Sequence, residues 1–135
     1  MKKVVTLIPA RGGSKGIEKK NIVEVNGKPL LSYTIAASLA STVDETWVST
    51  DDDEIASVAI KCGAKVIKRP LSLSTDESIS ESALLHFAEN ESFDILVFLQ
   101  ATCPFIMSKD INDSIKLMTK YDSVVSVSKL DQLFL

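Results

Sequence analysis

A loop that combines glycines with cationic side chains offers the clearest chemistry in this sequence. Residues 9–22 read PARGGSKGIEKKNI and follow the apolar run 4–8. Glycines let a backbone turn its N–H groups toward a bound anion, and neighbouring cations add positive charge. The combination predicts a phosphate-binding loop that suits a triphosphate, although a solvated basic turn linking two elements is the alternative. The contributing residues are Gly12, Gly13 and Gly16, with Arg11, Lys15 and Lys20.

The spacing of this loop separates it from two common phosphate-binding motifs. It does not fit GxxxxGK[ST], so it is not the common P-loop. It does not fit GxGxxG either, which argues against dinucleotide binding.

Two more polar segments follow apolar runs and are candidates for the same site. They are residues 49–51, Ser-Thr-Asp, and residues 100–104, Gln-Ala-Thr-Cys-Pro. Because ligands bind beyond the carboxyl ends of strands in open α/β sheets, we expect both segments to lie near the glycine loop. Asp51 could line the site or meet Mg²⁺. Asp52 and Asp53 suit the dipole at the start of a helix and are expected to point elsewhere.

Single side chains with reactive chemistry have simpler explanations here. Cys103 has no His near it in the motif, so we interpret it as a small filler and not a nucleophile. His86 and Cys62 fall in helical segments and are interpreted as packing residues. One His and two Cys give no plausible zinc set.

Short apolar runs alternate with amphipathic segments along the chain, which is typical of an α/β protein. Near-continuous apolar strands between helices imply a mostly parallel sheet with helices on both faces. The predicted strands cover residues 4–8, 46–49, 64–67, 95–99 and 124–127. The predicted helices cover residues 30–39, 51–62, 76–88 and 108–118, with Gly63 ending the second, Thr75 or Asp76 capping the third and Ser108 capping the fourth.

Composition limits the classes of partner. The 135 residues carry a net charge of -3, which argues against a domain held on nucleic acid mainly by bulk positive charge. No apolar stretch approaches the length of a membrane span. The sequence lacks a secretory signal pattern, so we expect a cytoplasmic protein.

The string IPARGGSKGIEKKNI closely resembles the signature of the acylneuraminate cytidylyltransferases, a pattern like IPAR-x-GSKG-x-x-x-KN. The resemblance implies a Rossmann-like fold of the nucleotide-diphospho-sugar transferase type. It also implies transfer of CMP from CTP to a nonulosonic acid of the sialic, legionaminic or pseudaminic type, with release of pyrophosphate. The likeness spans essentially the whole chain and continues through residues 27–30, 49–51, 69–70, 75–76, 100–104 and 122–127.

The resemblance implies roles for individual residues. It makes Arg11, Lys15 and Lys20 the catalytic candidates, facing the triphosphate. It implies that Gln100 and Thr102 bind the sugar. The nucleotide is expected to contact Ala10, Arg11, Gly12, Gly13, Lys15, Lys20, Asn21, Arg69 and Ser80.

The resemblance also implies parts that this sequence does not contain. The family's metal-binding carboxylates and its dimerisation segment would lie beyond Leu135, so Mg²⁺ is expected with CTP and a homodimer for a full-length form. We therefore expect residues 1–135 to be a single nucleotide-binding domain of a C-terminally shortened chain, with an apolar tail at 133–135.

One stretch departs from the family pattern. The family commonly shows Gln-Pro-Thr-Ser-Pro-Leu-Arg, and Ala101, Cys103 and Ile106 here replace its Pro, Ser and Arg. Ile106 puts an apolar side chain where an Arg could meet an acidic sugar, so the sugar side is matched less well than the nucleotide side. Two alternatives remain open: a nucleotidyltransferase for another sugar or nucleotide, and a nucleotide-binding module without turnover.

Overall fold

The computed structural model describes residues 2–12, 22, 24–69, 79–101 and 106–118. From residue 30 onward, helices and strands alternate along these residues, as the sequence predicts. In chain order the elements are β1 (Val4–Pro9), β2 (Glu24–Val25), β3 (Lys28–Pro29), α1 (Leu30–Leu39), β4 (Glu45–Thr50), α2 (Asp53–Lys61), β5 (Lys65–Lys68), α3 (Ile79–Asn90), β6 (Ile95–Phe98) and α4 (Ser108–Leu117).

Four parallel strands form the main sheet in the order β5-β4-β1-β6. β1 lies inside this sheet, and all six of its residues are buried. A strand that is buried along its whole length is typical of a sheet that is covered on both faces. The predicted parallel sheet is confirmed, and so are the first four of its five predicted strands. The fifth predicted strand, 124–127, lies outside the described residues.

Helices cover both faces of the sheet, which confirms the predicted architecture. Side chains from α1 and α2 pack with inward-facing residues of β1 and β4 on one face. On the other face, Phe87 of α3 packs against Val5 and Leu7, and its ring meets Trp47 edge-on at 5.5 Å. The first core contains Ile8, Ala10, Leu31, Ile35, Val48, Ile55, Ala59, Ala64 and Ala101.

Local signals set most of the helix ends. Gly63 follows α2 with φ +98°, the left-handed conformation predicted for a C-terminal stop. The predicted cap of α4 is wrong by one residue. Met107 occupies the N-cap position and donates its N–H to the Asp110 carboxylate, while Ser108 is the first helical residue. No helix among the described residues is long and apolar enough to cross a membrane.

A short hairpin between β2 and β3 was not predicted. Its turn residues, Asn26 and Gly27, have φ of 52° and 80°. Positive φ at both positions is the signature of a two-residue hairpin turn that favours Asn-Gly. The dipeptide was therefore a readable signal, although each strand is only two residues long.

A charged cluster ties together the amino ends of β1, β4 and β5. The Glu45 carboxylate accepts a hydrogen bond from Trp47 Nε1 at 2.9 Å and another from Lys65 Nζ at 3.0 Å. Lys3 Nζ lies 3.5 Å away. The Trp47 hydrogen bond, followed by that from Lys65, lowers the pKa of Glu45 from 4.5 to about 2.

This cluster predicts acid sensitivity. A carboxyl group whose pKa is lower in the folded state stabilises the fold above its unfolded pKa, and the contribution is lost as pH falls from 4.5 towards about 2. We expect Glu45→Gln to lower the free energy of unfolding by about 1 kcal/mol at neutral pH, because the partners are largely exposed. The free energy of unfolding, measured with urea at each pH in this range, should fall less steeply with falling pH in Glu45→Gln than in the wild type. Glu89→Gln, which removes an exposed carboxylate on α3, is the control. The same pH dependence in Glu45→Gln and Glu89→Gln would contradict the prediction.

Candidate functional site

The carboxyl ends of the parallel strands meet at one edge of the sheet. Backbone hydrogen bonds continue past the strand ends and keep the following residues in register. Ala10 N–H donates to Ser49 O at 2.8 Å, and Arg69 N–H donates to Thr50 O at 2.8 Å. The residues that follow β1, β4 and β5 are therefore held side by side.

The start of the glycine loop is fixed against the start of α2. Gly12 N–H donates to Asp51 Oδ1 at 3.0 Å. A Cβ placed on Gly12 would lie 2.7 Å from Asp52 Oδ2 and 2.9 Å from Asp52 Cβ, distances too short for real contacts. Asp52 itself is held, because its carboxylate caps α2 by accepting from Glu54 N at 2.8 Å and Ile55 N at 3.0 Å. A Cβ at position 12 therefore fits only if Asp52 or the loop shifts.

Arg69 is the buried cation of this edge. The residue is only 2% exposed. Burial lowers the pKa of its guanidinium, the Asp51 carboxylate opposes that shift, and Arg11 adds to it. Arg11 and Asp51 both act on the Arg69 guanidinium, and the Asp52 carboxylate lies at the same edge, against Gly12. The two arginines are the described cations of this edge that suit an anionic ligand.

The structure brings together several residues that were predicted for the nucleotide site. Arg11 and Gly12 follow β1, and Arg69 follows β5 beside them. Ala10 is buried, and its N–H donates to the Ser49 carbonyl oxygen. Ala10 therefore supports the strand ends and does not offer its N–H to a ligand. Gly12 N–H was expected to turn toward a bound anion; here it donates to Asp51 instead.

Other predicted residues lie at the margin of what the structure describes. Gln100 is exposed just beyond β6, at the same edge. Ser80 is in the first turn of α3, whose N-terminal end faces this edge because the helix runs back to the start of β6. The predicted residues outside the described ranges are Gly13, Lys15, Gly16, Lys20, Asn21, Thr102 and Cys103.

The contact of Asp51 and Asp52 with Gly12 is the part of the site that sequence reasoning missed. Asp52 was expected to point away along its helix, but its side chain both caps α2 and packs against Gly12. Asp53 does point away; its side chain is 98% exposed and forms an ion pair with Lys68. The register of the two strands is the signal that could have revealed this contact. Adjacent parallel strands place the residues after Pro9 beside those after Ser49.

The remaining reactive side chains fit the packing interpretation. Cys62 packs against the first core, and burial raises the pKa of its thiol, which makes it a poor nucleophile. His86 lies in the C-terminal half of α3, toward the opposite end of the sheet. Within the described ranges, no group of three or more His, Cys, Asp or Glu is arranged to hold a metal ion.

Comparison with known proteins gives a consistent result. The sequence profile of the cytidylyltransferase family matches residues 5–133. N-acylneuraminate cytidylyltransferase A of Danio rerio is 44% identical over 128 residues, which cover 92% of this chain and 30% of that protein. Pseudaminic acid cytidylyltransferase of Campylobacter jejuni is 43% identical over 116 residues, which cover 81% of this chain and 50% of that protein. The chain thus spans half or less of the length of these relatives.

A solved structure shares the fold. CMP:2-keto-3-deoxy-manno-octonic acid synthetase, solved in complex with CTP, superposes with a TM-score of 0.79 at 28% identity. The match covers 90% of this chain and 49% of that one. It confirms the nucleotidyltransferase fold that the resemblance implied.

The lack of space at Gly12 predicts a specific double-mutant result. Gly12 does not have a positive φ, so the cost of Gly12→Ala comes from its contact with Asp52. We expect Gly12→Ala to lower the free energy of unfolding by about 1–3 kcal/mol, the usual cost of overpacking. Asp52→Gly alone should cost only roughly a few tenths of a kcal/mol, because Gly is tolerated at an N-cap. Urea unfolding of the double variant should recover most of the loss; strict additivity would show that this contact does not set the cost.

Proposed function

This chain belongs to the cytidylyltransferase family, and from that premise we propose that it supplies the nucleotide side of an enzyme that transfers CMP from CTP to a nonulosonic acid. The observation that carries the proposal is the buried Arg69 beside Asp51 and Arg11, at the carboxyl edge of the sheet. This edge is where open α/β sheets bind ligands. The names of the similar proteins, which specify acylneuraminate and pseudaminic acid, support the choice of acceptor.

The proposed reaction is a nucleotidyl transfer. A hydroxyl oxygen of the sugar attacks the α-phosphorus of CTP and forms a new O–P bond. The bond between the α-phosphorus and the bridging oxygen breaks, pyrophosphate leaves with the bond electrons, and the hydroxyl proton passes to a base or to solvent. Transfers of this kind depend on positioning and charge neutralisation more than on covalent chemistry of the protein.

The cations of the site have separate places in this proposal. Arg69 is buried at this edge and is assigned to the cytidine end of the nucleotide. Arg11 is half-buried beside it, at the start of the loop. Lys15 and Lys20 are assigned to the triphosphate, and Asn21 and Ser80 to the nucleotide. Gln100 and Thr102 are assigned to the sugar, on the side of β6.

A metal ion is expected with CTP, and Mg²⁺ is the proposed ion. The described residues do not form a metal cage, since no suitable group of ligands is present among them and Asp51 Oδ1 already accepts from Gly12. The cytoplasmic location and the homodimer remain predictions.

The first prediction from this proposal concerns the nucleotide. We expect CTP to bind better than ATP, GTP or UTP, and Lys20→Ala to weaken CTP binding about tenfold, because a hydrogen bond to a charged group is lost. Lys61→Ala is the matched control, since Lys61 is an exposed lysine in the last turn of α2. Titration calorimetry with the four nucleotides measures both effects. Equal binding of all four nucleotides, with unchanged affinity in Lys20→Ala, would rule out the nucleotide assignment.

A separate assay distinguishes an enzyme from a binding module. It measures CTP-dependent release of pyrophosphate, which only an enzyme produces.

The second prediction concerns the acceptor. Ile106 is half-buried just before α4, where the family often has an Arg. In a full-length form, we expect Ile106→Arg to change the ratio of kcat/KM between two nonulosonic acids about tenfold, because a new cation meets the acidic group of one sugar more closely than that of the other. Met107→Arg is the control, since the neighbouring Met107 is 63% exposed. A strict preference for N-acetylneuraminate that Ile106→Arg leaves unaltered would show that this position does not select the sugar.

A further inference from the structure

Asp51 is a charged residue that the structure describes at the carboxyl edge and that the proposed reaction leaves without a role. It follows β4 directly and is half-buried. Its Oδ1 accepts the Gly12 N–H at 3.0 Å, across 39 positions of sequence. A carboxylate beside a site for a triphosphate would repel the ligand if it faced it directly, so its presence calls for another explanation.

The backbone on both sides of Asp51 is held in place. Thr50 is fully buried, and its carbonyl accepts from Arg69 N–H at 2.8 Å. Thr50 Oγ1 accepts from Asp52 N–H at 3.1 Å, and the Asp52 carboxylate caps α2. Asp51 therefore stands between the end of the sheet and the first turn of a helix, which gives its side chain a defined position.

Asp51 also acts on the buried cation. Among the described residues, Asp51 favours the charged form of the Arg69 guanidinium and Arg11 opposes it. Without Asp51, the unfavourable influence of Arg11 on Arg69 would remain, and part of the cost of burying Arg69 would lose its compensation.

We propose that Asp51 is a positioning residue of the nucleotide site, which anchors the first glycine of the loop through the Gly12 N–H and offsets the positive charge of Arg69. This inference rests on the proposed function for the identity of the ligand. Asp51 acts through Gly12 and Arg69, and it makes no contact with CTP. The anchor belongs to the ligand-free protein, so it can be tested without a nucleotide.

The first test measures hydrogen exchange of the Gly12 amide by NMR in the full chain without ligand. Asp51→Ala removes the acceptor, so we expect exchange at Gly12 to become about tenfold faster. Asp51→Asn keeps an oxygen that can accept the same bond and should stay within about threefold of the wild type. Asp53→Ala is the matched control, because that carboxylate is exposed and faces Lys68. Unchanged protection of Gly12 in Asp51→Ala would overturn the anchor.

The second test measures CTP binding by calorimetry in the same variants. We expect Asp51→Ala to raise the Kd for CTP about tenfold with an unchanged number of sites, since the loop and Arg69 lose their preset positions. A lower number of sites at an unchanged Kd would mean that Asp51 only keeps the chain folded, and would overturn the proposal. So would an Asp51→Asn variant that binds CTP normally but has lost its turnover, because that pattern indicates a metal ligand. If the wild type binds no CTP, the proposed function fails, and the exchange result alone decides whether Asp51 anchors Gly12.

Discussion

The parallel pairing of β1 with β4 is the constraint on which the rest of the site depends. It aligns Pro9 with Ser49, so the chain leaves both strands at the same level of the sheet. Gly12 then meets the start of α2, and the pairing of β4 with β5 brings Arg69 to the same place. Because β1 is buried on both faces and paired on both edges, a shift of its register would disrupt its packing against both layers of helices, so the packing that stabilises the fold also fixes the geometry of the site.

Within the described residues, the strands and helices of the main sheet could be predicted from the sequence, because their signals are local. Apolar runs of four to six residues between amphipathic segments are enough to indicate a parallel sheet with helices on both faces. A left-handed residue after α2 was also readable, since Gly63 interrupts the helical pattern. The N-cap of α4 was harder to predict. Ser108 is a good N-cap residue by type, but it is the first helical residue and Met107 occupies the N-cap position. The hairpin at Asn26 and Gly27 escaped notice because its strands are too short to show alternation.

The candidate site was only half predictable, for a physical reason. Glycines and cations in one loop identify themselves by type, and the family resemblance added Arg69. The contacts of Gly12 with Asp51 and Asp52 join segments about 40 positions apart, and they exist only because two strand ends are brought together. The helix dipole alone explains consecutive carboxylates at the start of a helix. Nothing in the sequence therefore indicated that Asp51 and Asp52 also contact Gly12. The charge of the buried Arg69 is also compensated by Asp51, which belongs to a different segment of the chain. Residue type and spacing do not reveal such a pair.

The close approach of Gly12 to Asp52 has a consequence for how such a protein can evolve. A Cβ at position 12 meets both the carboxylate and the Cβ of Asp52, so in this chain a change at position 12 costs stability while Asp52 keeps its side chain. The reverse order is open, because a glycine at position 52 can still begin α2. The two substitutions are therefore not equivalent as first steps: Gly12→Ala before Asp52→Gly passes through a destabilised protein, and the opposite order avoids it.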